Sequence, residues 1–129
     1  MKLSDAKIGP AIAVSDVSRA KEFYESKLGL SGGEEQGDGG TTYPCGEGTS
    51  VHVFPSPNAS ASGATVAGFD VDGLDATVDE LASNGVSFEQ YDQGELKTNE
   101  KGIADLGDAK AAWCKDPDGN LLGILEYTS

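Results

Sequence analysis

The chain has little histidine or cysteine. It carries one histidine, His52, and two cysteines, Cys45 and Cys114, with no Cys-x-x-Cys pair. That rules out a zinc centre of the usual Cys/His type and a disulfide framework. Both thiols are expected free in a reducing cytosol. Long apolar runs are also missing: none approaches the roughly 20 residues that a membrane helix needs. Residues 1–7 are polar and lack the apolar core of a signal peptide, so a cytoplasmic location is expected. Basic residues are scarce. Nine Lys and Arg face 22 Asp and Glu, for a net charge of −13. Such a surface repels nucleic acid and anionic membranes. A small molecule is the expected partner, and the charge admits a cationic one. The acidity equally serves solubility, or life in a salty cytosol where self-repulsion is screened. Neither a Gly-x-Ser-x-Gly elbow nor a phosphate-loop lysine pattern occurs.

What is present suits one small domain. The 129 residues, 37% of them apolar, are enough for a single core. The chain also repeats itself. The run Ala11–Val17 is strand-like and ends in a turn. A helical pattern follows over about Ser18–Leu28, with Val17, Ala20, Phe23, Tyr24 and Leu28 on one face. Asp16 or Ser18 can cap its start and Gly29 can end it. In the second half Ala67–Asp72 is strand-like, Leu74, Val78, Leu81 and Ala82 recur at helical spacing, and Gly85 is the stop. Extended segments are expected over Ser31–Gln36, Thr41–Cys45 and Ser50–Pro55, then over Val86–Tyr91, Lys110–Lys115 and Asn120–Tyr127. Asp116-Pro117-Asp118-Gly119 has the residues of a tight turn. Gln93–Asp108 reads as a long loop without regular structure. The order is β-α-β-β-β twice: an α+β protein whose two units pair into a curved sheet with helices outside and a concave pocket inside.

Residues Ala11 to Leu30 resemble the opening of vicinal oxygen chelate proteins. The run Lys115-Asp116-Pro117-Asp118-Gly119-Asn120, with the apolar strand after it, resembles their closing hairpin. That superfamily includes glyoxalase I, extradiol dioxygenases, fosfomycin-resistance transferases and bleomycin-binding proteins. The resemblance implies one domain with a first module over about residues 5–56, a linker over 56–63 and a second module over 64–129. It also implies a homodimer, with exchange of modules between copies an option. The superfamily's metal enzymes hold a divalent ion with His and Glu at four inward-facing strand positions. Here those positions carry Gly9, His52, Val66 and Gly123, so three of four lack a donor. No cofactor is expected, while a divalent metal anchored on His52 stays open. Glu126 lies three residues past Gly123, on the opposite strand face.

Strand alternation gives a candidate pocket of Ser50, His52, Phe54, Asp70, Trp113, Leu121 and Leu125, enlarged by the missing ligand side chains. Plainer roles exist for several: a hydrogen-bonded strand histidine for His52, core packing for Trp113, a solvated rim for Asp70. Cys45 and Cys114 are expected to correspond between the repeats and to face the helices. Three functions compete. One is a metal-independent binding protein for a cationic or antibiotic-like molecule. Another is a glyoxalase-like or dioxygenase-related enzyme with His52 as general base, helped by Asp70 or Glu95. The third is a structural or regulatory partner with a vestigial pocket.

Overall fold

The computed structural model describes residues 2–94 and 96–127. Strand β1 spans Ala11–Val14, and the Asp16 carboxylate caps the next helix by accepting from the Arg19 N–H at 3.1 Å. Helix α1 runs over Val17–Lys21 and then widens into π-helical turns over Glu22–Lys27, where the sequence predicts one regular helix. Phe23 and Tyr24, within these turns, are both buried. Gly29, at φ +83°, ends the segment in the left-handed conformation that its lack of a Cβ allows.

Strands β2 (Glu34–Glu35), β3 (Thr41–Pro44) and β4 (Ser50–Pro55) complete the first module. Their sheet has the order β1-β4-β3-β2, with β1 and β4 parallel and the other pairs antiparallel. Strand β5 (Thr65–Asp70) and helix α2 (Leu74–Ser83) open the second module. A short hairpin of β6 (Asp92–Gln93) and β7 (Leu96–Lys97) follows, then β8 (Ala104–Asp105), β9 (Ala109–Lys115) and β10 (Leu121–Tyr127). This second sheet has the order β5-β10-β9-β8. The βαβββ pattern is therefore present twice, as α+β architecture.

Four local expectations are corrected. The strand expected over Val86–Tyr91 is reduced to one bridge, Phe88 to Cys114, continued by the Glu89 N–H donating to the Trp113 carbonyl at 2.8 Å. The chain then leaves the sheet for the β6–β7 hairpin and returns at β8 to supply the edge, so the stretch 93–108 is not featureless. Asn99 shapes the return by accepting from the Lys101 and Ile103 N–H groups. The strand expected over Ser31–Gln36 shrinks to two residues. The cysteines do not correspond. Cys45 N–H donates to the Thr49 carbonyl just as Asp116 N–H donates to the Asn120 carbonyl across the other hairpin. Cys45 thus matches Asp116, and Cys114 matches Tyr43.

One hydrophobic cluster draws on both modules, from Ile12, Val14 and Tyr24 to Leu74, Leu122 and Ile124. Polar ties across the modules converge on the closing turn. Asp116, 4% exposed, accepts from the Tyr24 hydroxyl at 2.8 Å and from the Asn120 side-chain amide at 2.9 Å. Asp118 accepts from the Ser15 hydroxyl at 2.6 Å, and Asn120 donates to the Ala13 carbonyl at 3.0 Å. The turn is therefore a clamp as well as a hairpin. No helix among the described residues is long and apolar enough to cross a membrane.

Candidate functional site

Alternation along β4 sends Val51 and Val53 into the core and leaves His52 and Phe54 half-buried on the other face. Thr42 lies opposite His52 across the β3–β4 ladder. The His52 Nδ1 is 3.0 Å from the Thr42 hydroxyl, and its Nε2 is 2.7 Å from an Asp38 carboxylate oxygen. With Nε2 donating to the carboxylate, Nδ1 accepts from the hydroxyl. The Phe54 ring stacks on the imidazole at 5.6 Å and 8°. The other Asp38 oxygen accepts from the Gly40 N–H at 2.8 Å. The hydrogen bond to His52, then that from Gly40, holds the Asp38 carboxyl below its usual range. Gly40 is needed here: a Cβ would sit 2.5 Å from the Val53 carbonyl oxygen and 2.8 Å from the Phe54 Cα.

On the second sheet Trp113 pairs with Gly123 across β9 and β10. Its indole nitrogen lies 3.6 Å from where a Gly123 Cβ would be, and the Tyr91 ring meets the indole edge-on at 5.5 Å. A Cβ at Gly123 would be in ordinary contact with the indole and with the Thr65 methyl, so the indole lies directly over this glycine. Leu121 is buried beside it, and Leu125 is half-buried against Gly68.

Three of the four positions that the resemblance assigns to a metal carry no donor side chain. Gly9 and Gly123 have no side chain, Val66 is apolar and 40% exposed, and both ring nitrogens of His52 are engaged. Glu126 is committed elsewhere: its carboxylate accepts from the Leu74 N–H at 3.0 Å, at the start of α2. Among the described residues, no group of three or more His, Cys, Asp and Glu is placed to hold a metal ion.

A cleft of about 710 Å³ lies between the two modules. One wall is the run Ala67–Asp72 of β5 and the turn after it. The other includes Ile8, Pro10 and the turn from Cys45 to Ser50. Three carboxylates line it, from Glu47, Asp70 and Asp72, and no Lys or Arg does. The predicted residues thus fall into three places. Ser50 and Asp70 line the cleft, His52 and Phe54 form the stacked patch on β4, and Trp113, Leu121 and Leu125 cover the second sheet. Glu95 lies outside the described residues. Glu47 and Asp72 were missed. Their signal was present in the Gly46-Glu47-Gly48 turn and in the Asp70-x-Asp72 spacing. Neither cysteine is set up as a nucleophile. Burial raises the Cys45 thiol, and burial, then the Glu89 and Asp116 charges, push Cys114 up to about 12.

Comparison with known proteins agrees with this architecture. The model of the Glyoxalase/Bleomycin resistance protein/Dioxygenase superfamily matches residues 8–124. A protein from Bacillus anthracis described as of the glyoxalase family has a similar structure, with TM-score 0.70 and 19% identity over 95% of this chain and 97% of that one. An antibiotic binding protein from Streptomyces sp. CB03234 gives 0.67 and 21%, over 96% and 98%. A genomically encoded fosfomycin resistance protein from Listeria monocytogenes gives 0.68 and 10%, over 96% and 94%. At these identities the structures speak for the fold. No curated protein matches the sequence.

Proposed function

The chain belongs to the Glyoxalase/Bleomycin resistance protein/Dioxygenase superfamily, and within it we propose a metal-independent binding protein that takes a small cationic molecule with an apolar body into the cleft beside β5. The observation that carries this is the lining of that cleft. Glu47, Asp70 and Asp72 supply negative charge without a basic neighbour in the wall, while Ala67, Phe69 and Val71 supply apolar surface. The volume suits a drug-sized ligand, for which about 300–1,000 Å³ is usual. A cation would meet the carboxylates at the mouth and lay its apolar part along β5, where the Phe69 ring offers a cation–π surface. The net charge of −13 would speed its capture. Binding of this kind makes and breaks no bond, so the role is sequestration. A structural neighbour described as an antibiotic binding protein supports this reading. The test is a titration with a dicationic aromatic probe, a bis-benzamidine, at rising salt. Affinity should fall steeply between about 20 and 300 mM, because the pairs are partly exposed and screened. A flat salt profile would remove the cationic reading.

A second reading, an enzyme using His52, is favoured by the Thr42–His52–Asp38 chain of hydrogen bonds. Asp38 would orient the ring and His52 would take a proton once the Thr42 hydroxyl turns away. A His52→Ala variant that keeps full turnover of any substrate found would dismiss it.

A further inference from the structure

Next to the cleft lies a second cavity of about 160 Å³. Leu28 and Leu30 reach it from the segment after the first helix, Leu81 from α2, and Leu122 and Ile124 from β10. Its few polar neighbours are turned away or neutral. The Thr77 hydroxyl donates to the Gly73 carbonyl at 2.7 Å, and the fully buried Cys114 thiol stays protonated. Glu80, exposed on α2, is the one charged residue of the wall. The cavity opens to solvent past half-buried Leu28, Leu30, Phe69 and Val71. Water inside it finds few polar partners on these walls, so an apolar guest can displace it at a gain.

We propose that this cavity is a binding site for a small uncharged apolar molecule of monocyclic-aromatic size. Anions are rejected twice, by the apolar wall, which cannot solvate them, and by Glu80. It adjoins the cleft, with which it shares the wall residues Phe69 and Val71.

The experiment uses the full chain and fluorobenzene as the probe, followed by ¹⁹F NMR. Saturable binding at one site per chain is expected, with none for 4-fluorobenzoate. Thr77→Phe projects a ring into the cavity from α2, and Leu30→Trp fills it from the opposite wall. Each should weaken fluorobenzene about tenfold or more while circular dichroism reports an intact fold. Asp70→Asn alters only the cleft and should leave fluorobenzene unaffected. The proposal fails if the folded wild type shows no saturable binding. It fails equally if binding survives both filling variants, or if it is lost with Asp70→Asn.

Discussion

Tyr24→Phe isolates the clamp between the modules. The ring stays, fully buried, and only the hydroxyl that reaches Asp116 is removed. A hydrogen bond to a charged group contributes about 1.5–3 kcal/mol. Asp116 would keep three other donors: the Asn120 side-chain amide and the N–H groups of Asp118 and Asn120. It is therefore not left unpaired, and the loss belongs near the lower end, about 2 kcal/mol. For a chain of this length each kcal/mol moves Tm by about 3–5 °C, so a fall of about 6–10 °C is expected. Asp116→Ala removes the hub itself and strands the buried Tyr24 hydroxyl with the other donors, so it should cost more than about 3 kcal/mol. Urea and thermal unfolding followed by circular dichroism measure both. A Tm change under about 2 °C for Tyr24→Phe would refute the clamp.

Alkaline pH probes the same site. Burial, then the Asp116 charge, raises Tyr24 far above the ordinary tyrosine value of 10.0. The unfolded chain therefore loses this proton first, and the stability it confers is complete below pH 10.0 and lost as pH climbs beyond it. Tyr24→Phe should flatten that decline in urea midpoints measured from pH 9 to 11. Gly40→Ala should cost about 1–3 kcal/mol, because the new methyl meets the Val53 backbone rather than a flexible side chain. Gly37→Ala, with nothing within 4 Å, should be tolerated far better in the same unfolding assay. Thiol labelling at pH 8 should modify half-buried Cys45 in the native protein and buried Cys114 only after unfolding. Equal native rates would contradict their placement.

Much of the fold could be read from the residues. Periodicity located both helices, Asp16 and Gly29 marked the ends of the first, and the turn chemistry of 116–119 located the closing hairpin. The matched positions His52 and Gly123 emerge on equivalent strands, each opposite a residue of its module's first strand. The misses share a cause. Matching residues lie further apart at the hairpins than at the helices, because the 89–103 excursion lengthens the second module, and this misled the pairing of Cys45 with Cys114. Alternation also assigns faces within one strand but cannot say which edge the other module lies against. Hence alternation put Ser50 and Asp70 in the expected pocket but not Glu47 and Asp72, which line the same cleft only because tertiary packing creates it. The clamp was invisible for the same reason: nothing local to Asp116 foretells Tyr24.

The central claim is that the carboxylates of the cleft hold a cation. Its most direct test is calorimetric titration of the bis-benzamidine probe into wild type and into the triple variant Glu47→Gln, Asp70→Asn, Asp72→Asn, at low salt. One site per chain, weakened at least about tenfold in the folded variant, is the predicted result. Equal affinity for both proteins, or no binding to the wild type, would contradict it.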